Sequence, residues 1–381
     1  MKRNKLVNWQ EDMSITPKHF VQTENYFLEE LSESRSVFIS KNNFGLLPLK
    51  ETNEQIGIQI REHISNHVEV TLYNCNAITA SGEHISFNPG VNEPPLSKVY
   101  SAEQNDNRHN QNSQGWNVIL SVDPYTRIVT GEIDPMEEPP RHPDSEPMYK
   151  LHIVASEQIN LSTFGAHFLT IGKIRRQGDR YVVDANYIPP CRNMSSHPDL
   201  VGYFRRYENM FFSLRRASRN IISKVNDRSS GNELAVNIRS LSQEVLRYLM
   251  SIHFNLKNTG TDIAPVAMTE SICTLAAHCY TSLLCLPGVQ KDELLKYFFE
   301  WSDVTPGSFQ ELLSSTMELE YEHINIRSIM VRLETFLTTL TELWDRLSRL
   351  EYIGQHKESL VVSVSGGGNG TEERRGFMIS D

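Results

Sequence analysis

The most regular apolar pattern in the chain lies toward its C-terminal end. Ile326, Met330, Leu333, Leu337, Leu340, Trp344 and Leu347 follow steps of four and three, and Ile329, Phe336, Leu343 and Leu350 repeat every seven residues beside them. Three apolar positions per heptad make a stripe wider than the seam of a two-stranded coiled coil, so the pattern predicts a long helix in a multi-helix bundle. The period does not say whether its partners belong to the same chain or to neighbouring copies.

Helical spacing also holds upstream, from Pro198 onward. Phe204, Tyr207, Phe211, Leu214, Ile221 and Val225 mark one helix, closed by the turn Ser229-Ser230-Gly231-Asn232. Leu234, Ile238, Leu241, Val245, Tyr248 and Ile252 mark a second, and Met268, Ile272, Leu275 and Cys279 a third that ends at Pro287-Gly288. Between about Val37 and Ile188 the period is two instead. Ile56, Ile58 and Ile60 alternate with polar neighbours, as do Val68, Val70 and Leu72, and Ser81-Gly82 supplies a hairpin turn before the segment His84 to Phe87. Val118 to Val122, Lys150 to Val154 and Arg180 to Val183 continue the series. Many short strands at this spacing predict a β-sandwich. Two insertions, the polar Ser101 to Gln114 and Asp134 to Pro147 with its five prolines, read as surface loops with freedom to move.

The N-terminal stretch has a different character. Thr16 before Pro17 is a helix start, because the threonine oxygen can accept from early amides and a proline at the first helical position gives up an N–H that has no partner there. Phe20, Phe27, Leu28 and Leu31 share a face that is expected to be buried, and Ser32, Ser34 and Ser36 mark the exit. Before this helix, Trp9, Met13 and Ile15 sit on a segment without helical period, an apolar arm that packs either on its own domain or on a partner protein.

The layout expected from these patterns is α+β and multidomain. An arm and helix at 1–36 precede a β-sandwich at 37–195, an α-helical bundle at 196–353 and a flexible, glycine-rich tail at 354–381. The chain of 381 residues is long enough for two or three domains, and 39% hydrophobic, 9% aromatic and 22% charged residues suit a globular protein. The longest apolar stretch, Thr274 to Val289, is broken by His278, Thr281 and Ser282 and does not fit a membrane span. Met1-Lys2-Arg3 lacks the apolar run of a secretory signal, so a cytoplasmic location without membrane insertion is expected. A formal charge of −10 argues against a nucleic-acid partner, and Arg205, Arg206, Arg215, Arg216 and Arg219 read as a solvated helix face. Five cysteines without a C-x-x-C pair imply a reducing setting and no disulfide.

Reactive constellations are sparse. His63 and His67, with Glu62 and Glu69 beside them, have the four-residue spacing that clasps a metal on a helix, but the alternation around them predicts strands and a turn, where that spacing loses its meaning. Cys273, Cys279 and Cys285 do not share one helical face and read as buried small hydrophobes. No phosphate-binding glycine loop, nucleophile elbow or zinc-protease motif occurs. The residues therefore point to a binding or structural protein without catalytic residues, cofactor or metal. The competing readings are a metal- or thiol-dependent enzyme with a helical oligomerisation domain and a phage-type receptor-binding protein.

The segment NWQEDMSITPKHFVQTENYF, through Trp9, Glu11, Met13, Pro17, His19, Phe20, Gln22 and Tyr26, resembles the N-terminal signature of the type VI secretion baseplate family TssK. Asp12 and Lys18 depart from that signature, where glycine and glutamine are usual. Phe44-Gly45 in NNFGLLPLK, the strand exit YIPPCRNMSSHPDL, and Tyr321-x-His323 in YEHINIRSIM are similar to further family motifs, so the resemblance runs from about residue 5 to 352. It implies a sandwich "shoulder" like that of phage receptor-binding proteins and a helical "neck", assembled as a homotrimer. The shoulder would bind the wedge proteins TssF and TssG, with Trp9, Met13, Pro17, His19 and Phe20 as anchor, and Ile326 to Leu347 would build the neck or its oligomer contacts. The family's third domain, a head that docks on the envelope complex, is expected to be absent, as in a divergent, Bacteroidetes-like short form. The implied role is a cytoplasmic baseplate adaptor recruited to the inner face of the envelope.

Overall fold

A computed structural model describes residues 3–48, 57–63, 67–89, 94–101, 115–156, 167–177, 180–228, 231–302 and 304–357. Within them the chain is mixed α and β and divides into two compact units. Unit 1 is formed by Met1–Arg206, Asn255–Ser271 and Glu320–Glu334, and unit 2 by Tyr207–Phe254, Ile272–Leu319 and the chain from Thr335 onward.

Unit 1 begins with helix α1 (Pro17–Ser36), which starts at the proline that the sequence marks. Ten strands follow among the described residues: β1 (Gly45–Leu46), β2 (Ile58–His63), β3 (His67–Leu72), β4 (Cys75–Ile78), β5 (His84–Phe87), β6 (Leu96–Ser101), β7 (Gly115–Thr130), β8 (Asp144–Ala155), β9 (Phe168–Gln177) and β10 (Arg180–Val183). They form three antiparallel sheets, in the orders β1-β4-β5, β2-β3-β6 and β10-β9-β7-β8. Period-two burial is clearest where side chains of one sheet meet the next. Val68, Val70 and Leu72 on β3 are buried, and Trp116 on β7 donates its indole N–H to the Tyr100 hydroxyl of β6 at 2.9 Å, tying the four-stranded sheet to a three-stranded one. A buried indole needs such an acceptor.

Within Asp134 to Pro147, residues 134–143 are an exposed loop and the last four belong to a strand. Strand β8 begins at Asp144, and past an irregularity between Asp123 and Arg127 it pairs with β7 from Arg127↔Pro147 to Thr130↔Asp144. Pro147 is tolerated because β8 lies at the sheet edge, where no ladder partner needs its missing N–H. The other insertion, 102–114, lies outside the described residues. His63 and His67 stand opposite each other as the last and first residues of antiparallel strands, so no helical clasp exists. Their side chains, like residues 64–66, lie outside the described set.

The remaining helices are α2 (Pro198–Arg228), α3 (Glu233–Thr259), α4 (Pro265–Leu284), α5 (Gly288–Ser302), α6 (Pro306–Met317) and α7 (Ile326–Arg349). In unit 2 the apolar stripes close on one another: Phe298 of α5 packs edge-on against Phe309 of α6 and tilted against Trp344 of α7, with centroids 5.6 and 5.9 Å apart. The end of α7 is capped from α2, where the Lys224 ammonium donates to the carbonyls of Ser348 (2.8 Å) and Leu350 (2.7 Å). That satisfies acceptors a helix end leaves open and places a cation at the negative pole. Of the tail beyond Gly354 only residues up to 357 are described.

Candidate functional site

The N-terminal arm runs back along α1. Arg3 pairs with Glu30 (3.0 Å) and Glu33 (3.2 Å), the Asn4 amide donates to Glu29 (2.7 Å), and Gln22 donates to the Lys5 carbonyl (2.9 Å). These contacts are polar, all but the Asn4–Glu29 bond are exposed, and an exposed one is worth little alone. His19 caps the helix start. Its Nδ1 accepts the Thr16 backbone N–H at 3.2 Å, and its own N–H donates to the Thr16 carbonyl at 3.0 Å. A ring nitrogen thus fills the place that glutamate or glutamine takes in a capping box. The Trp9 ring stands edge-on over His19 at 6.0 Å.

Of the α1 face expected to be buried, Leu28 is half-buried and the other three residues are exposed. Trp9 is 50% exposed, Phe20 57%, Phe27 55% and Leu31 51%, Met13 is half-buried and Pro17 is exposed. Ser32 is the buried residue of α1, donating to the Ser81 carbonyl at 3.1 Å. Beside it Gly82, with φ +88, allows the turn to approach the helix so closely that a Cβ would lie 2.6 Å from the Ser32 carbonyl oxygen. On a second side Arg127 of β7 reaches Glu24 and, at 3.1 Å, Asn25. Helix α1 is therefore fixed to unit 1 by hydrogen bonds on its polar side and holds its apolar row toward solvent. Phe20, Phe27 and Leu31 thus form an exposed apolar row on an anchored helix. Periodicity shows that a face is apolar but not what covers it.

The other motif residues meet elsewhere in unit 1. His323, 4% exposed, accepts the Tyr321 hydroxyl at Nδ1 (2.9 Å) and donates from Nε2 to the Phe44 carbonyl (2.7 Å), with the Phe44 ring edge-on at 4.9 Å. Burial lowers the His323 pKa, with the Phe44 carbonyl acting in the opposite direction, and burial raises that of Tyr321. The neutral imidazole is thus the form that fits both bonds. One residue on, Gly45 (φ +112) lies against Pro190, and Leu46 and Cys191 form a parallel bridge closed by Leu46 N–H to Pro190 O (2.8 Å) and Arg192 N–H to Leu46 O (2.9 Å). Three motifs distant in sequence thus build one buried latch, whose role is structural.

The seven α7 residues Ile326, Met330, Leu333, Leu337, Leu340, Trp344 and Leu347 are all at most 1% exposed within the single chain. Their side chains are core within the single chain. The cysteines are free. Burial pushes the thiols of Cys75 and Cys279 up to about 12, and that of Cys191 further, which keeps them protonated and inert. Cys285, expected to be buried, is exposed at an open depression of about 490 Å³ between α3 and α4 that also holds Glu244 and His278. His278 Nδ1 is 4.0 Å from Glu244, and both share that depression with small side chains such as Ala277 and Ser282. Among the described residues no three His, Cys, Asp or Glu side chains gather to hold a metal, and no helix is long and apolar enough to cross a membrane.

No family model matches the chain, and no curated protein matches it. Solved structures do, and the likeness is first to a class: the fold is similar to that of a type VI secretion baseplate protein. The protein it resembles is TssK. A crystal structure of TssK matches over 87% of this chain and 69% of its own length, with TM-score 0.53 and 16% identity. The cryo-electron microscopy structure of a TssK-TssF-TssG baseplate subcomplex matches over 90% of this chain and 99% of the matched chain, with TM-score 0.50 and 14% identity. At such identities the likeness is one of fold.

Proposed function

We propose that the chain is a TssK-type structural subunit of a type VI secretion baseplate. In this reading the strands at 37–195 form the sandwich shoulder, the helices at 196–353 form the neck bundle around the α7 stripe, and 1–36 and 354–381 are the arm and tail. Three copies assemble into a connector that meets counterparts of TssF and TssG on one side and the envelope complex on the other. The protein works in the cytoplasm without nucleic acid, cofactor or catalysis. The observation that carries the proposal is the likeness of fold over nearly the whole chain to a protein solved together with TssF and TssG. The exposed apolar row on an anchored α1 supports it, because such a row has no cover among the described residues. Trp9, Met13, Pro17, His19 and Phe20 are the proposed wedge contact.

Co-expression with the TssF and TssG counterparts tests the reading. Wild type should co-purify with both as a trimer by light scattering. Trimming residues 1–15, or replacing Trp9→Ala with Phe20→Ala, should leave a folded trimer that no longer retains them, since an aromatic anchor commonly carries about 2 kcal/mol or more of an interface. A monomeric wild type, or variants that bind like wild type, would refute the proposal.

A further inference from the structure

The hairpin that joins β7 to β8 has features of a second contact element. Among the described residues β7 pairs with β9 from Gly115 to Ser121, and from Arg127 to Thr130 its described ladder partner is β8, so the ribbon extends past the described part of β9. Ile128 and Val129 are successive residues that point to opposite faces of a strand, yet they are 47% and 62% exposed. Both faces of the ribbon are therefore wet. At its end Ile133 is 51% exposed and Met136 88%.

The loop that presents Met136 is held by its own bonds. The Met136 amide donates to Asp134 Oδ1 (2.8 Å), Arg141 pairs with Glu137 (2.8 Å), and His142 Nδ1 lies 2.8 Å from the Gly131 carbonyl. Pro135, Pro139, Pro140 and Pro143 restrict the backbone further. An exposed methionine on a constrained loop loses little conformational freedom on docking. The same hairpin carries the exposed carboxylates of Glu132, Asp134, Glu138, Asp144 and Glu146, with Arg141 already engaged by Glu137 and Arg127 by Glu24. Through Arg127 the base of the ribbon touches the same helix that exposes Phe20, Phe27 and Leu31.

We infer that the β7–β8 hairpin inserts Met136 and Ile133 into an apolar pocket ringed by lysine and arginine on the wedge partner, and that its carboxylates steer that encounter. The inference rests on the proposed baseplate role and adds a contact element and its chemistry. Apolar residues at the centre supply affinity on desolvation, and the acidic rim selects a basic surface and raises the association rate at low salt. A second copy of the chain is the alternative occupant that the test must separate.

The probe is the co-purified TssF–TssG counterpart pair, with binding measured against the whole chain at several salt concentrations. Met136→Asp with Ile133→Ser should weaken binding at least tenfold at every salt concentration while the oligomeric state stays unchanged. The charge-reversal set Glu132→Lys, Asp134→Lys and Glu138→Lys should slow association at low salt by about tenfold and flatten its dependence on salt. Thermal melts check that both variants fold, and Glu132→Gln with Glu138→Gln serves as a milder charge change expected to lie between. Hairpin variants that bind like wild type overturn this inference while leaving the α1 contact standing. A wild type that fails to bind overturns both. Loss of self-association instead of partner binding assigns the hairpin to a second copy and also overturns it.

Discussion

Replacing Gly45 by alanine should damage unit 1 more than any surface change, and the size of the effect follows from the latch. The residue has φ +112, outside the range that L side chains adopt comfortably, which costs about 1–2 kcal/mol. Its new Cβ would lie 2.0 Å from the Pro190 carbonyl oxygen, 2.2 Å from that carbon and 2.8 Å from the Cys191 nitrogen. All three are backbone atoms, so no rotamer change relieves the clash and the two segments must part. Parting breaks Leu46 N–H to Pro190 O and Arg192 N–H to Leu46 O, two bonds in a buried setting that cost about 1–2 kcal/mol each when left unmade. The total is about 3–6 kcal/mol, or roughly 10 °C of melting temperature for a unit of this size. Differential scanning calorimetry of wild type, Gly45→Ala and Gly307→Ala makes the comparison. Gly307 has nothing within 4 Å and sits in the first turn of α6, so its alanine should be neutral or stabilise by up to about 1 kcal/mol. A Gly45→Ala protein that melts within about 2 °C of wild type would refute the close-approach reasoning.

Two further outcomes are expected. Leu340→Asp places an unpaired carboxylate in a core position with 0% exposure, so it should lose about 4 kcal/mol or more in urea unfolding; a soluble, dissociated but folded chain would instead show that the α7 stripe lies between copies. Burial holds the folded-state pKa of His323 below its ordinary 6.5, so the unfolded chain binds the proton more tightly. The stability from this group is complete above about pH 6.5 and is lost as pH falls toward the lowered folded value. His197 shifts in the same direction through burial and adds to the slope. His323→Gln should flatten the decline between pH 6.5 and mildly acidic conditions, as read from urea midpoints across that range, and an unchanged slope would remove His323 from the account.

Where one interaction dominates locally, the sequence is legible. Pro17 after Thr16 starts α1 and the four-three rhythm runs into α7, because capping and periodic burial need no distant partner. Helices α5 and α6 left no comparable trace: Leu294, Leu295, Tyr297 and Phe298 crowd four buried residues into five positions, which blurs the period. The prolines of Asp134 to Pro147 suggest a mobile loop, whereas an edge strand accommodates Pro147 and internal hydrogen bonds hold the turn. Phe44-Gly45, Pro190-Cys191 and Tyr321-x-His323 can each be picked out in the sequence, but their convergence in one latch cannot, since no local pattern links residues so far apart. The exposure of α1 is the clearest limit of this kind. Phe20, Phe27 and Leu31 have the spacing of a core face and stand in solvent because their neighbours in the chain bind the opposite side of the helix.

The bond from His323 to the Phe44 carbonyl spans 279 residues, which sets a timetable for synthesis. A ribosome adding about 5–20 residues per second emits Phe44 roughly 15–55 s before the imidazole that will engage it. Unit 1 needs Asn255–Ser271 and Glu320–Glu334 as well as its first long stretch, and unit 2 needs the chain from Thr335 onward. Neither can close while translation is still short of α7. The apolar faces of the nascent strands therefore lack their final partners until late, and a product that terminates before α7 can complete neither unit, leaving the proteases of the cell a substrate that no wait will mature.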